Sequence, residues 1–159
     1  MERPNAWLTY SDADMQDLET VAKKYRHFLN VGKTERECIT QIVKEAEEAG
    51  YVSLEEKVKN GEDLKAGDKV YQVGMQKIIA LYHIGEEDLA QGMNILCAHI
   101  DSPRLDIKQS PLYEDTDLAY LDTHYYGGVK KYQWVALPMA MHGVIVKKDG
   151  TVVNVTVGE

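Results

Sequence analysis

The stretch that decides the fold is Ile95-Leu96-Cys97-Ala98-His99-Ile100-Asp101, in which four apolar residues lead into a histidine and an aspartate two positions apart. A short run that is apolar at every position is typical of a strand buried on both faces of a mixed or parallel sheet. We therefore predict a strand over Met93 to Ile100. Open α/β sheets bind their ligands beyond the carboxyl ends of the strands, and His99 and Asp101 fall at such an end.

Two amphipathic helices are predicted ahead of this strand. Ser11 and Asp14 have the spacing of a capping box, and apolar residues then recur at helical intervals, which predicts a helix from about 12 to 30. A second capping signal begins the helix predicted over 34 to 50. We expect the apolar stripes of both helices to pack against a sheet, with a groove for a partner helix as the alternative.

Further strands are predicted on both sides of the deciding stretch. Residues 69–73 and 76–84 are rich in β-branched and aromatic side chains, which predicts two strands beside the one at 93–100. The first part of the chain is therefore expected to be an α/β domain over 1–105, with helices packed on a mixed β-sheet. The remainder, 106–159, is β-rich, and its clearest element is a hairpin over 143–157 with an Asp-Gly turn.

Composition excludes several classes of function. The chain has 26 acidic and 18 basic residues and a net charge of −8, which disfavours a nucleic-acid partner. No apolar stretch approaches the roughly 20 residues that cross a bilayer, so no membrane partner is predicted. The first residues lack the basic start and apolar run of a secretory signal, which predicts a cytoplasmic location.

The chain has two cysteines, far apart in sequence and each within an apolar pattern. Cys38 and Cys97 are therefore predicted to be buried free thiols.

The spacing of His99 and Asp101 suits a metal ligand with its orienting partner. Residues two apart in an extended chain point to the same side, so Asp101 can accept a hydrogen bond from one imidazole nitrogen while the other binds a metal. A structural hydrogen-bonded pair has the same spacing, and the residues alone leave both interpretations open. Packing or surface roles are expected for His83, His124 and His142.

Two stretches carry a resemblance to a known family. Residues 98–108, Ala-His-Ile-Asp-Ser-Pro-Arg-Leu-Asp-Ile-Lys, resemble the His-Thr-Asp-Ser-Pro-x-Leu-x-x-Lys motif of the aspartyl aminopeptidase and vacuolar aminopeptidase family. Residues 122–134 are similar to that family's Thr-Tyr-Gly-Gly-Gly segment, which precedes a tryptophan. Residues 134–139 depart from the Trp-Phe-Asp-Arg-Asp-Leu run of eukaryotic members, so the chain resembles the bacterial members more, and a preference for acidic amino-terminal residues is not assumed.

The resemblance implies a peptidase domain that is interrupted by an inserted β-rich dimerisation domain and that holds two zinc ions per subunit. It implies that His99 is a metal ligand, that Asp101 is a catalytic residue orienting it, and that dimers build a tetrahedral homo-oligomer acting on peptides. The bridging aspartate, the general-base glutamate and the other ligands follow the inserted domain in the family. We therefore expect an amino-terminal fragment of a zinc-dependent aminopeptidase that is inactive alone.

Two alternatives stay open at this point. One is a non-catalytic oligomerisation module derived from the same fold, which predicts an oligomer indifferent to zinc. The other is a related carboxypeptidase or deacylase, which would accept peptides with a blocked amino terminus. The chain ends soon after a hairpin, which suggests either a truncated chain or a domain that needs more sequence. A truncated chain is predicted to expose sheet edges and apolar surface and to self-associate.

Overall fold

A computed structural model describes residues 3–159, and these divide into two compact units. One unit ends at Cys97 and the other covers Ala98–Glu159. The boundary predicted between residues 105 and 106 separates the domains of the family fold, and it stays a prediction. Residues 1 and 2 of the predicted first domain lie outside the described range. None of the helices described over 3–159 combines the length and hydrophobicity needed to cross a membrane.

The first unit alternates helices with short strands. In chain order it contains α1 Asp12–Val31, α2 Glu35–Glu48, β1 Val52–Ser53, α3 Leu54–Lys59, β2 Lys69–Gly74 and β3 Ile78–His83. Single 3-10 turns occur at Ala6–Leu8 and Leu89–Gln91.

Both predicted capping boxes are formed. The Ser11 backbone N–H donates to Asp14 Oδ2 at 2.8 Å, and the Asp14 N–H donates back to the Ser11 hydroxyl at 3.2 Å. In the second box, the Thr34 N–H donates to Glu37 Oε2 at 2.9 Å. Because these contacts satisfy backbone donors that the first helical turn leaves unpaired, they fix where α1 and α2 begin.

The sheet of the first unit is mixed, which confirms the predicted fold class. Strand β2 lies in the middle, with β1 parallel on one side and β3 antiparallel on the other. Helix α2 contacts β2 and β3, and the small core is built from α2 and β2. Its buried hydrophobic side chains are Cys38, Ile39, Ala46 and the fully buried Val70.

The predicted strand over 93–100 is wrong. Residues 92–103 form neither helix nor strand, and Leu96 is fully exposed. An extended segment becomes a strand only when a neighbour accepts and donates its backbone hydrogen bonds, and in the described residues the sheet ends at β3. For the same reason only half of the cysteine prediction holds, because Cys38 is buried whereas Cys97 is exposed.

The second unit is built from two antiparallel hairpins. In chain order it contains β4 Arg104–Asp115, β5 Leu118–Tyr126, α4 Lys131–Trp134, β6 Met141–Val146 and β7 Val152–Val157. The pairing of β6 with β7 confirms the predicted hairpin, and Gly150 in its turn has a φ of 86°, a conformation that glycine adopts without strain.

The β4–β5 hairpin was not predicted as such, and its turn explains why. Asp115 pairs with Leu118, so the loop consists of Thr116 and Asp117, with φ of 52° and 61°. This mirror-image turn suits the twist of a hairpin but normally carries glycine or asparagine. Farther along, the register shifts between Ile107 and Leu112, where a bulge interrupts the ladder.

Much hydrophobic surface is uncovered in the described part of the chain. Helix α1 has no buried residue over its whole length, and the side chain of its Val21 is 66% exposed. Every residue of β5 is exposed as well. This agrees with the expectation of exposed apolar surface, and self-association stays a prediction.

We expect Val70→Ala to lower the free energy of unfolding of the first unit by about 2 kcal/mol, because it leaves a cavity in a very small core. The control is Val58→Ala, since the Val58 side chain is 68% exposed and its truncation should change stability by no more than about 0.5 kcal/mol. Urea unfolding followed by the helical circular dichroism signal measures both. Equal effects of the two variants would contradict the assigned core.

Thr116→Gly should stabilise the β4–β5 hairpin by roughly 0.5–1 kcal/mol, because it relieves a β-branched residue held at positive φ. Thr123→Gly is the matched control: it lies within the ladder opposite Ile107 and should destabilise the hairpin by about as much. Amide hydrogen exchange of the two strands measures both changes. Destabilisation by Thr116→Gly would mean that the turn differs from the one described.

Candidate metal-binding site

The residues singled out from the sequence lie in the segment that leads into β4. His99 and Asp101 precede the first residue of that strand, Arg104. The His99 side chain is 86% exposed and that of Asp101 is 38% exposed. The pair was expected at the end of a buried strand, and because that strand is not formed, its position is fixed by β4 and β5 instead.

The structure brings His99 and Asp101 together in a geometry that favours one tautomer of the imidazole. His99 Nδ1 lies 3.1 Å from the backbone oxygen of Asp101 and 3.3 Å from its Oδ1. A carbonyl oxygen can only accept, so a hydrogen bond at this position requires the hydrogen on Nδ1. In that tautomer the lone pair is on Nε2, which is the atom that can bind a metal.

Asp101 has a second partner, Tyr126, that its local sequence does not predict. The Tyr126 hydroxyl donates to Asp101 Oδ2 at 2.7 Å, across 25 positions of sequence. This hydrogen bond is the main cause that holds the pKa of the Asp101 carboxyl below its usual value, with its own backbone N–H and His99 acting in the same direction. The carboxylate is therefore ionised at neutral pH and accepts from both neighbours.

Strand pairing puts Tyr126 in reach of Asp101. Tyr126 lies opposite Arg104 in the β4–β5 ladder, and the Arg104 guanidinium sits 4.2 Å from the centre of the Tyr126 ring. Arg104 Nε in turn donates to Asp106 Oδ1 at 2.7 Å. Predicting this arrangement requires predicting the β4–β5 hairpin. The turn of that hairpin contains no glycine, the usual sequence signal, so the role of Tyr126 was not predicted.

Gly127, the next residue, is required by its backbone conformation. Its φ is 74°, a left-handed conformation in which a residue with a side chain is strained. A Cβ atom placed there would lie 3.4 Å from the Pro103 Cα atom, an ordinary van der Waals contact, so the neighbour adds no strain. Gly127 thus suits the bend that follows β5.

Three other histidines have different surroundings. His83 belongs to β3 in the first unit, His124 stacks on Tyr125, and His142 Nε2 lies 3.2 Å from Glu159 Oε1. Within residues 3–159, no group of three or more histidine, cysteine, aspartate or glutamate side chains could hold a metal ion. His99 fits one ligand position of a zinc site, whereas a catalytic zinc takes about three protein ligands.

Comparison with known proteins identifies the family. Residues 28–157 match the family model described as aminopeptidase I zinc metalloprotease (M18). A relative from Clostridium acetobutylicum, named probable M18 family aminopeptidase 1, is 56% identical over 158 residues, which are 99% of this chain and 34% of the relative.

Solved structures agree with the sequence match. The crystal structure of aminopeptidase I from Clostridium acetobutylicum has a TM-score of 0.83 at 56% identity and matches 100% of this chain and 35% of its own. Aminopeptidase I from Borrelia burgdorferi B31 has a TM-score of 0.89 at 35% identity, over 98% of this chain and 37% of its own. The chain thus spans about a third of the length of these relatives. Since the family model covers most of its residues, this protein belongs to the aminopeptidase I zinc metalloprotease (M18) family.

Proposed function

We propose that this chain is the amino-terminal part of a zinc-dependent aminopeptidase that releases amino-terminal residues from peptides. Family membership supports the reaction class. The observation that carries the role of this segment is the contact of His99 Nδ1 with the backbone oxygen of Asp101 at 3.1 Å, which leaves Nε2 as the ligand atom. Family membership also favours an aminopeptidase over the carboxypeptidase and deacylase alternative.

In this proposal His99 holds one zinc ion through Nε2, and Asp101 is the catalytic-site residue that orients the ring. Zinc, when bound, supplies Lewis-acid activation of a peptide carbonyl and of a water molecule. Asp101 acts through the imidazole: its backbone oxygen and its ionised carboxylate both face Nδ1, which favours the Nδ1–H tautomer and raises the basicity of Nε2. Two zinc ions per subunit are proposed, with the remaining ligands, the bridging carboxylate and the general base outside the segment described.

The second unit is proposed to supply the start of the inserted β-rich dimerisation domain, over residues 106–159. The complete exposure of β5 supports this proposal, because a two-stranded hairpin without a covered face is only marginally stable in water. Dimers building a tetrahedral homo-oligomer, and a cytoplasmic location, belong to the same proposal. The net charge of −8 is consistent with a peptide substrate and no nucleic-acid partner.

The isolated chain is expected to show no peptidase activity with added zinc, because one imidazole cannot hold a catalytic ion. Hydrolysis of an aminoacyl nitroanilide measures this directly. The positive control is a chimera in which the 159 residues replace the matching third of the Clostridium acetobutylicum relative. Metal-dependent hydrolysis by the purified isolated chain would contradict the proposed division of the site.

In that chimera, His99→Ala should remove at least one zinc ion per subunit and lower kcat/KM by at least about 100-fold, since even the loss of an outer-shell partner costs 10- to 100-fold. His83→Ala is the matched control, because it makes the same change at a histidine of β3, in the first unit, that has no proposed role as a ligand. Metal analysis and steady-state kinetics supply the readouts. Full zinc content in the His99→Ala chimera would exclude His99 as a ligand.

The chimera also separates the remaining alternatives. An aminopeptidase needs a free amino terminus, so acetylated peptides should not be hydrolysed, whereas a deacylase or carboxypeptidase would accept them. A non-catalytic oligomerisation module predicts assembly that is indifferent to zinc and a native protein without metal. Intact mass and zinc content of the protein from its source test that alternative together with the length of the polypeptide.

A further inference from the structure

We propose that Tyr126 is a positioning residue for the metal ligand His99 and that it acts through Asp101. The inference rests on the proposed function, in which His99 is the ligand. It is carried by one juxtaposition: the two oxygens of a single carboxylate are divided between the Tyr126 hydroxyl and the His99 imidazole.

The division of the two oxygens helps to orient the imidazole, beside the hydrogen bond from Nδ1 to the Asp101 backbone oxygen at 3.1 Å. Tyr126 holds Asp101 Oδ2 at 2.7 Å, and this leaves Oδ1 facing His99 Nδ1 at 3.3 Å. A carboxylate with no partner on Oδ2 can rotate about its side-chain bonds and take Oδ1 away from the ring. Because His99 is largely exposed, few packing contacts in this segment restrain its ring, and the orientation depends on Asp101.

The Tyr126 ring is itself held from a second side. The Arg104 guanidinium lies over it at 4.2 Å and is oriented by Asp106 at 2.7 Å. The β4–β5 register sets Arg104 opposite Tyr126. Backbone pairing therefore holds the end of β5, which carries Tyr126, next to the start of β4, which follows Asp101. Tyr126 thus connects the hairpin to the ligand: the ladder positions the ring, the hydroxyl positions the carboxylate, and the carboxylate positions the imidazole.

The neighbouring Tyr125 provides a matched comparison within the same strand. Its contacts differ from those of Tyr126. Its ring instead stacks on His124 and has the Lys131 ammonium 4.1 Å from its centre. Removing the hydroxyl of Tyr125 is the same chemical change as removing that of Tyr126, without the bond to Asp101.

The first test is the tautomer of His99 in the 159-residue chain. Long-range proton–nitrogen correlation spectra at about pH 8, where an ordinary imidazole is neutral, show which ring nitrogen carries the hydrogen, and His99→Gln assigns the signal. We expect a mainly Nδ1–H ring in the parent chain. Tyr126→Phe should lower the ratio of the Nδ1–H to the Nε2–H form by roughly 2- to 10-fold, the effect of one hydrogen bond. Tyr125→Phe should leave the ratio unchanged.

A second variant, Arg104→Met, keeps the inference testable if Tyr126→Phe does not fold. Arg104→Met removes the cation above the ring but leaves the hydroxyl, and it should shift the tautomer ratio in the same direction by a smaller factor. In the chimera, Tyr126→Phe should weaken zinc binding by about tenfold, with Tyr125→Phe near the parent value. An unchanged tautomer ratio in folded Tyr126→Phe and Arg104→Met chains would overturn the inference.

The inference and the proposed function fail in different experiments. If His99→Ala keeps its zinc in the chimera, the proposed function is wrong and the role of Tyr126 toward a metal ligand is overturned with it. If His99→Ala loses zinc but Tyr126→Phe binds zinc as tightly as the parent, the proposed function stands and the positioning role is wrong. A tautomer shift together with weaker zinc binding supports both.

Discussion

The antiparallel pairing of β4 with β5 is the constraint on which the candidate site depends. It brings residues that are distant in sequence to opposite positions, so that Tyr126 reaches Asp101 and Arg104 reaches the ring of Tyr126. Neither His99 nor Asp101 lies in a helix or strand. Their geometry therefore depends on a ladder that begins three residues after Asp101.

Features that depend on neighbouring residues were predictable from the sequence. The capping boxes at Ser11 and Thr34 are formed by residues three positions apart, and both helices begin where they were expected. The contact between His99 and Asp101 follows from their spacing of two. In each case the interaction lies within one turn or one short extended segment, so no knowledge of the rest of the fold was needed.

Features that depend on distant partners were not predictable in the same way. The apolar run at 95–98 has the composition of a buried strand, but burial and pairing require a neighbour that the described residues do not supply. The β4–β5 hairpin escaped prediction because Thr116 and Asp117 occupy a conformation that their residue types disfavour. The role of Tyr126 depends on that hairpin, and hence it was missed as well.

The uncovered segment at 92–103 makes the two cysteines chemically unequal. Burial raises the pKa of the Cys38 thiol and keeps reagents from its sulfur, whereas the Cys97 thiol lies open to solvent. An alkylating reagent or a glutathione disulfide therefore meets one accessible thiol per chain. When another part of the protein packs over residues 95–98, Cys97 is shielded as well. The rate of thiol modification therefore reports whether this segment is packed.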